Sequence, residues 1–194
     1  MNGRSKQRGF TLVEVIVVVA VIAILAAVLT PYITKYIDDS RVAKAKNETQ
    51  VIGAAMASFY KDVGRWPNRI NATTDYNGVY TGIVAPVAAQ FGAATGWAPV
   101  GAQWSSLDGH LQINSHGYPA PTLAVDLTWQ GPYAAQLPVD PWGHPYVVNV
   151  KELGQTTYPT WVMSAGPNGV LDTNVGAPGA QTTPAIDDIG FRIR

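Results

Sequence analysis

Three histidines, His110, His116 and His144, share the chain with carboxylates at Asp108, Asp126 and Asp140, and these are the side chains that could move protons at neutral pH. A hydrolase built on them would need an activated nucleophile or a metal-bound water. No Gly-x-Ser-x-Gly, His-Glu-x-x-His or phosphate-cradling glycine loop accompanies them. His110 and His116 lie in a Gly/Ser-rich stretch and are expected in a surface loop, while His144 falls within a proline-rich turn and is expected to be structural. A second group of oxygens lies further on, at Asn168, Asp172, Asp187 and Asp188. Three carboxylates and an amide across one loop would suit a hard cation such as calcium, and the intervening glycines allow carbonyls to turn inward. The alternative is a polar turn held by its own hydrogen bonds. A third candidate is Glu14, the one ionisable side chain between Phe10 and Leu29.

Glu14 directs attention to the element that must hold it. The apolar run from Val15 to Leu29 follows a polar leader containing Arg4, Lys6 and Arg8. About 20 apolar residues at ~1.5 Å each span the ~30 Å hydrocarbon core of a bilayer. A carboxylate at the centre of such a span costs about 2.5–3.5 kcal/mol, and less near an end, so Glu14 calls for a partner. A cleaved secretory signal would explain the basic leader but not the acid, and a plain signal anchor leaves it equally unexplained.

Beyond the span, Pro31 predicts a kink or local melting near Ala27 to Pro31. Val42, Ala45, Thr49, Ile52, Met56, Phe59 and Val63 then recur at steps of three and four, giving one apolar stripe that should pack on a sheet. Gly64, followed by Trp66-Pro67, is a stop signal, so one helix of about 80 Å is expected from Phe10 to Val63. Residues 65–136 read as a loop-rich insertion with scattered tryptophans, and Leu123, Val125, Leu127 and Trp129 alternate like a short strand. The tryptophans could form a sugar-binding platform or pack against the helix. Leu137-Pro138-Val139-Asp140-Pro141-Trp142-Gly143 predicts a rigid turn in which Asp140 accepts backbone N–H bonds. Strand-like segments follow at Tyr146 to Val150, Thr160 to Ser164 and Ile189 to Ile193. The expected fold class is α+β: a long N-terminal helix packed on a small C-terminal antiparallel sheet.

Composition narrows the function. Lys plus Arg and Asp plus Glu each number 13, for a formal net charge of zero and no basic block to mark a nucleic-acid partner. Cysteine is absent, which excludes disulfides, thiolate metal sites and a thiol nucleophile. Glycine and proline are plentiful and charged residues scarce, as suits a loop-rich exported domain.

Gly9-Phe10-Thr11-Leu12-Val13-Glu14, with its basic leader and apolar helix, resembles the processing site of type IV prepilins and type II secretion pseudopilins. The segment from Leu137 to Tyr146 resembles the Leu-Pro-x-Asp-Pro-Trp-Gly-x-x-Tyr stretch of the major pseudopilins, and residues 65–136 depart from that family's shorter domain. The resemblance implies a leader over residues 1–9, cut between Gly9 and Phe10 by prepilin peptidase, and N-methylation of Phe10. It implies a polymerisation helix over 10–31, an amphipathic helix over 32–64 and a sheet over 137–194. Glu14 would meet the free amine of Phe10 on a neighbouring subunit and so set the axial stagger. Ser164, Asn168, Val170, Asp172, Asp187 and Asp188 become the expected calcium set, with Asn168 where the family usually has aspartate. The implied role is that of a structural, non-enzymatic filament subunit, a homo-oligomer with its domain in the periplasm and its precursor in the inner membrane. Its implied partners are the peptidase, an inner-membrane assembly platform and minor pseudopilins, with no nucleic acid. A type IV pilus subunit is the alternative within the same superfamily.

Overall fold

The computed structural model describes residues 9–68, 76–91, 96–97, 104–119, 127–150, 153, 159–175 and 183–193. The leader residues Arg4, Lys6 and Arg8, and also Leu123, Val125 and Asp126, lie outside these. Two units result, residues 1–40 and 41–194.

Helix α1 runs from Leu12 to Val63. In its first unit every described side chain is exposed, including Val15, Ile16, Leu25 and Leu29. By length and composition α1 can cross a membrane. The melting expected at Pro31 does not occur: proline sits inside a helix that continues without a break. Two threonines flank it and bond locally, Thr30 Oγ1 donating to Ala26 O at 2.7 Å and Thr34 Oγ1 to Pro31 O at 3.0 Å. Such bonds from hydroxyls supply carbonyls near the site of the missing N–H.

From Arg41 onward the helix has a core face. Ala45, Thr49, Ile52, Gly53, Ala55, Met56, Phe59 and Val63 are buried, as the periodicity from Ala45 predicts. Burying a side chain the size of Ile52, Met56 or Phe59 contributes about 1.5–3 kcal/mol. Phe59 meets Tyr118 edge-on at 4.8 Å and Tyr133 at 5.3 Å. At Gly53 the helix approaches the sheet so closely that a Cβ would stand 2.6 Å from the ring of Phe191. Gly64 ends the helix in the left-handed region, φ 73°, its N–H donating to Tyr60 O at 2.8 Å.

The sheet has five strands in the order β2-β1-β3-β4-β5. They are β1 (Gly78–Tyr80), β2 (Trp104–Ser106), β3 (Val147–Val148), β4 (Trp161–Ser164) and β5 (Ile189–Arg192). The pairs β1–β3, β3–β4 and β4–β5 are antiparallel, with Val79 opposite Val148, Val148 opposite Val162 and Val162 opposite Phe191. β1 and β2 pair in parallel. Two of the five strands therefore come from residues expected to be loop, as does the short helix α2 (Leu107–Leu111) that follows β2 directly. β3 is shorter than the expected Tyr146 to Val150 because the next residue pairs through its side chain, Asn149 Oδ1 accepting the N–H of Trp161 at 3.0 Å. Trp129 lies outside any strand and donates its backbone N–H to Pro119 O at 2.7 Å.

Two clusters fill the interior of the second unit. One gathers α1, α2, Val79, Tyr146, Val148 and Val162. The other gathers Trp97, Val147, Trp161, Met163, Leu171 and Val175. Alternate residues of β3 and β4 enter different clusters, as the two-residue period of a strand requires.

Candidate functional site

Three places hold the chemistry-bearing residues. At the start of α1, Thr11 Oγ1 accepts the N–H of Glu14 at 3.3 Å. Thr11-Leu12-Val13-Glu14 has the Ser/Thr-x-x-Glu form of a capping box. Glu14 falls in the first helical turn, where a carboxylate also favours the positive end of the helix dipole. Its side chain is exposed beside Phe10, Val15 and Val18.

The loop after β4 brings three of the expected oxygen ligands together. Asn168 Nδ2 donates to Asp172 Oδ2 at 3.1 Å and to Asp187 Oδ1 at 2.7 Å, and its backbone N–H donates to Asp187 Oδ2 at 3.0 Å. Val170 donates its N–H back to Asn168 Oδ1 at 2.6 Å. Two carboxylates thus converge on one amide, in the position a hard cation would take. The other expected ligands face different partners. Ser164 Oγ donates to Asp140 Oδ2 at 2.6 Å. Asp188 Oδ2 accepts from Asp172 N, Thr173 N and Thr173 Oγ1 at 2.9, 2.7 and 2.6 Å. Its Oδ1 is buried without a hydrogen-bond partner. Burial pushes the Asp188 carboxyl up to about 6, against the hydrogen bonds from Thr173 and Asp172 that favour its charged form. Among the described residues no three acidic or histidine side chains form a metal cluster. Asn168, Asp172 and Asp187 are the members of the expected set that meet, and here the Asn168 amide joins them by its own hydrogen bonds.

A turn of the preceding segment supports that loop. Asp140 is buried, and its Oδ1 accepts the N–H groups of Trp142 at 3.0 Å and His144 at 2.8 Å, as the turn sequence predicts. Its Oδ2 holds Ser164, whose Oγ in turn accepts the N–H of Gly166 at 3.1 Å. The ring of His144 lies against Gly169 and is 3.7 Å from Asp140 Oδ2, too far for a hydrogen bond. No nucleophile results: Ser164 is buried, and its hydroxyl donates to a carboxylate where catalysis would need a basic nitrogen. On the opposite side, Tyr146 OH donates to Glu48 Oε2 at 2.6 Å, and burial together with that carboxylate raises the phenol's pKa.

The expectation of a surface loop fails for His110, while His116 does lie in a turn and is half-buried. His110 lies on α2, fully buried, and its ring stacks on that of His116 at 3.8 Å with 13° between planes. Sequence could not reveal this, because a five-residue helix carries no readable period and the partners come from Tyr76, Ser105 and Tyr118.

Comparison with known proteins joins the first of these places to the rest. Residues 4–30 match the prokaryotic N-terminal methylation motif, and residues 118–178 match the family described as type II secretion system protein G. The type II secretion system core protein G of Pseudomonas aeruginosa is 29% identical over 143 residues, covering 74% of this chain and 73% of the relative. The protein of the same name from Escherichia coli is 27% identical over 174 residues, covering 89% of this chain and 90% of the relative. No solved structure matches. With the methylation motif at its start and a protein G match spanning the Asp140 turn, the chain is similar to the type II secretion core protein G pseudopilins over most of its length.

Proposed function

We propose that prepilin peptidase cuts between Gly9 and Phe10, that the new N-terminus is methylated, and that the mature chain polymerises into a periplasmic pseudopilus that helps drive protein secretion. The observation that carries this reading is the union in one chain of the methylation motif, the apolar helix from Leu12 and the protein G domain. Every side chain of residues 9–40 is exposed within the unit they form, which leaves a long apolar surface uncovered. That surface needs lipid in the precursor, anchored in the inner membrane, and neighbouring helices in the filament. Glu14 near the end of the span pairs with the amine of Phe10 on an adjacent copy, since an unpaired charge in an apolar bundle is costly. An assembly platform and minor pseudopilins would receive the subunit, and nucleic acid has no part in this reading. The chain serves as a structural element and not as a catalyst, in keeping with the engaged hydroxyl of Ser164 and the buried ring of His110.

The test is direct. Mature protein should begin at Phe10, and Glu14→Ala should be inserted and cut normally but yield few filaments by electron microscopy of overexpressing cells. A different N-terminus, or filaments in normal number from the variant, overturns the reading.

Calcium belongs to the same proposal. Asn168, Asp172 and Asp187 would hold it, with the Val170 carbonyl and Asp188 close in sequence to complete the oxygen set. A bound divalent ion would cross-link the loop before β5 to the loop after β4. At a hundredfold excess over its dissociation constant the ion would stabilise the domain by about 2.7 kcal/mol. Chelation of the full chain in detergent should therefore lower its melting temperature by roughly 5–10 °C. An unchanged melt would leave a turn held by its own hydrogen bonds.

A further inference from the structure

The pair formed by His110 and His116 has no place in filament assembly or in the cation loop, and its surroundings are unusual for two imidazoles. His110 Nδ1 lies 2.6 Å from Tyr118 OH, while its Nε2 is buried with no hydrogen-bond partner. Whichever tautomer is present, one ring nitrogen has nothing to bond, and a second proton would have no acceptor. His116 covers one face of the ring and is itself tied by Nε2 to Ser105 Oγ at 3.1 Å. Tyr76 sits edge-on to both rings, at 5.9 and 5.5 Å.

The charged groups around the pair do not favour a cation either. Arg65, just past the end of α1, repels positive charge on His110. The carboxylate on α2, Asp108, is engaged by Gly82 N at 3.0 Å and Ser106 Oγ at 2.8 Å. Tyr76 and Tyr118 bring only phenols. Burial first, then His116 and Arg65, hold the His110 ring down at about 2, and burial lowers His116 as well.

The pair is also where the segment from β2 to Tyr118 closes on the core. Ser105 belongs to β2, at the edge of the sheet, and His110 to α2. His116 is carried by a turn that Asn114 closes through Tyr118, accepting its N–H at 2.8 Å and donating to its carbonyl at 3.0 Å. Trp129 Nε1 donates to His110 O at 2.9 Å. Opening this segment is the way for the fully buried His110 ring to reach water.

We infer that the stacked pair is an acid-release latch: mild acid draws residues 104–118, which carry β2 and α2, away from the core while the rest of the sheet stays closed. The sign follows from linkage. A histidine whose folded pKa lies below its open value of 6.5 keeps its full stabilising contribution above pH 6.5 and loses it progressively as pH falls. A ring that stays neutral when closed makes opening about tenfold more frequent at pH 5.5 than at pH 7.5, and a second lowered ring adds up to about tenfold more. At pH 5.5 ordinary carboxylates are still ionised.

Hydrogen–deuterium exchange on the full chain in detergent micelles, corrected for the intrinsic rate at each pH, reads this opening directly. Peptides spanning 104–118 should lose about ten- to a hundredfold of their protection between pH 7.5 and 5.5, while peptides over β4 and β5 keep theirs. The double variant His110→Gln, His116→Gln should show no such dependence. Wild-type protection that is constant within threefold, or a pH dependence that survives in the variant, overturns the latch. Should the double variant fail to fold, the ring resonances of wild-type His110 decide. A neutral ring in the closed form down to pH 5 supports the latch. Titration near 6.5 with the segment still protected overturns it.

Discussion

Asp140 and His110 are both buried and both polar, one in a turn and the other on a five-residue helix, yet their surroundings treat them in opposite ways. Asp140 accepts hydrogen bonds from Trp142, His144 and Ser164, so its charge is solvated by protein. His110 has a single side-chain hydrogen-bond partner in Tyr118, and its second nitrogen is buried without one. A satisfied buried group stabilises a local structure and is costly to remove, whereas a half-satisfied one stores instability that its surroundings must offset. The first arrangement suits a turn that supports the loop after β4. The second suits a segment able to open.

That contrast can be broken by substitution, beginning with the largest expected change. Asp140→Ala leaves two N–H groups and the Ser164 hydroxyl without their acceptor, and urea unfolding should register a loss of about 3–4 kcal/mol. A loss under 1 kcal/mol would mean that the carboxylate is not the centre of the turn. Ser164→Ala removes one hydrogen bond to the carboxylate and the acceptor of the Gly166 N–H, for about 1.5–3 kcal/mol in the same measurement. The smallest effect is expected at the other centre. His110→Leu gives up the Tyr118 contact but also removes the unpartnered nitrogen, so stability at pH 7.5 should change by no more than about 1 kcal/mol. A loss as large as that at Asp140 would make the two centres equivalent and end the comparison.

The same contrast explains what could be read without coordinates. Asp140 lies between prolines and a glycine whose conformational limits are local, so both the turn and its accepting carboxylate were visible in the sequence. The core face from Ala45 to Val63 and the end at Gly64 were legible for the same reason, since helix periodicity and a left-handed terminus need no distant partner. β4 and β5 were also within reach. β1 and β2 were not, because each has three residues and their pairing depends on a parallel contact between Val79 and Ser105. Pro31 carried a strong local signal for a break, yet α1 continues through it, with Thr30 and Thr34 bonding around it. In the oxygen loop, the spacing of residue types brought Asn168, Asp172 and Asp187 to notice. The partners of Ser164 and Asp188 were hidden, because Asp140 and Thr173 compete for them through the fold.

The order of the sheet, β2-β1-β3-β4-β5, puts both strands from residues 65–136 on one flank, outside the three from the C-terminal segment. A shortened relative could drop both outer strands and keep the ladder from Val147 to Arg192 unbroken, with Val147 and Val148 as its new border. The flank formed by β2 and β1 can thus change in size without altering the pairing of β3, β4 and β5.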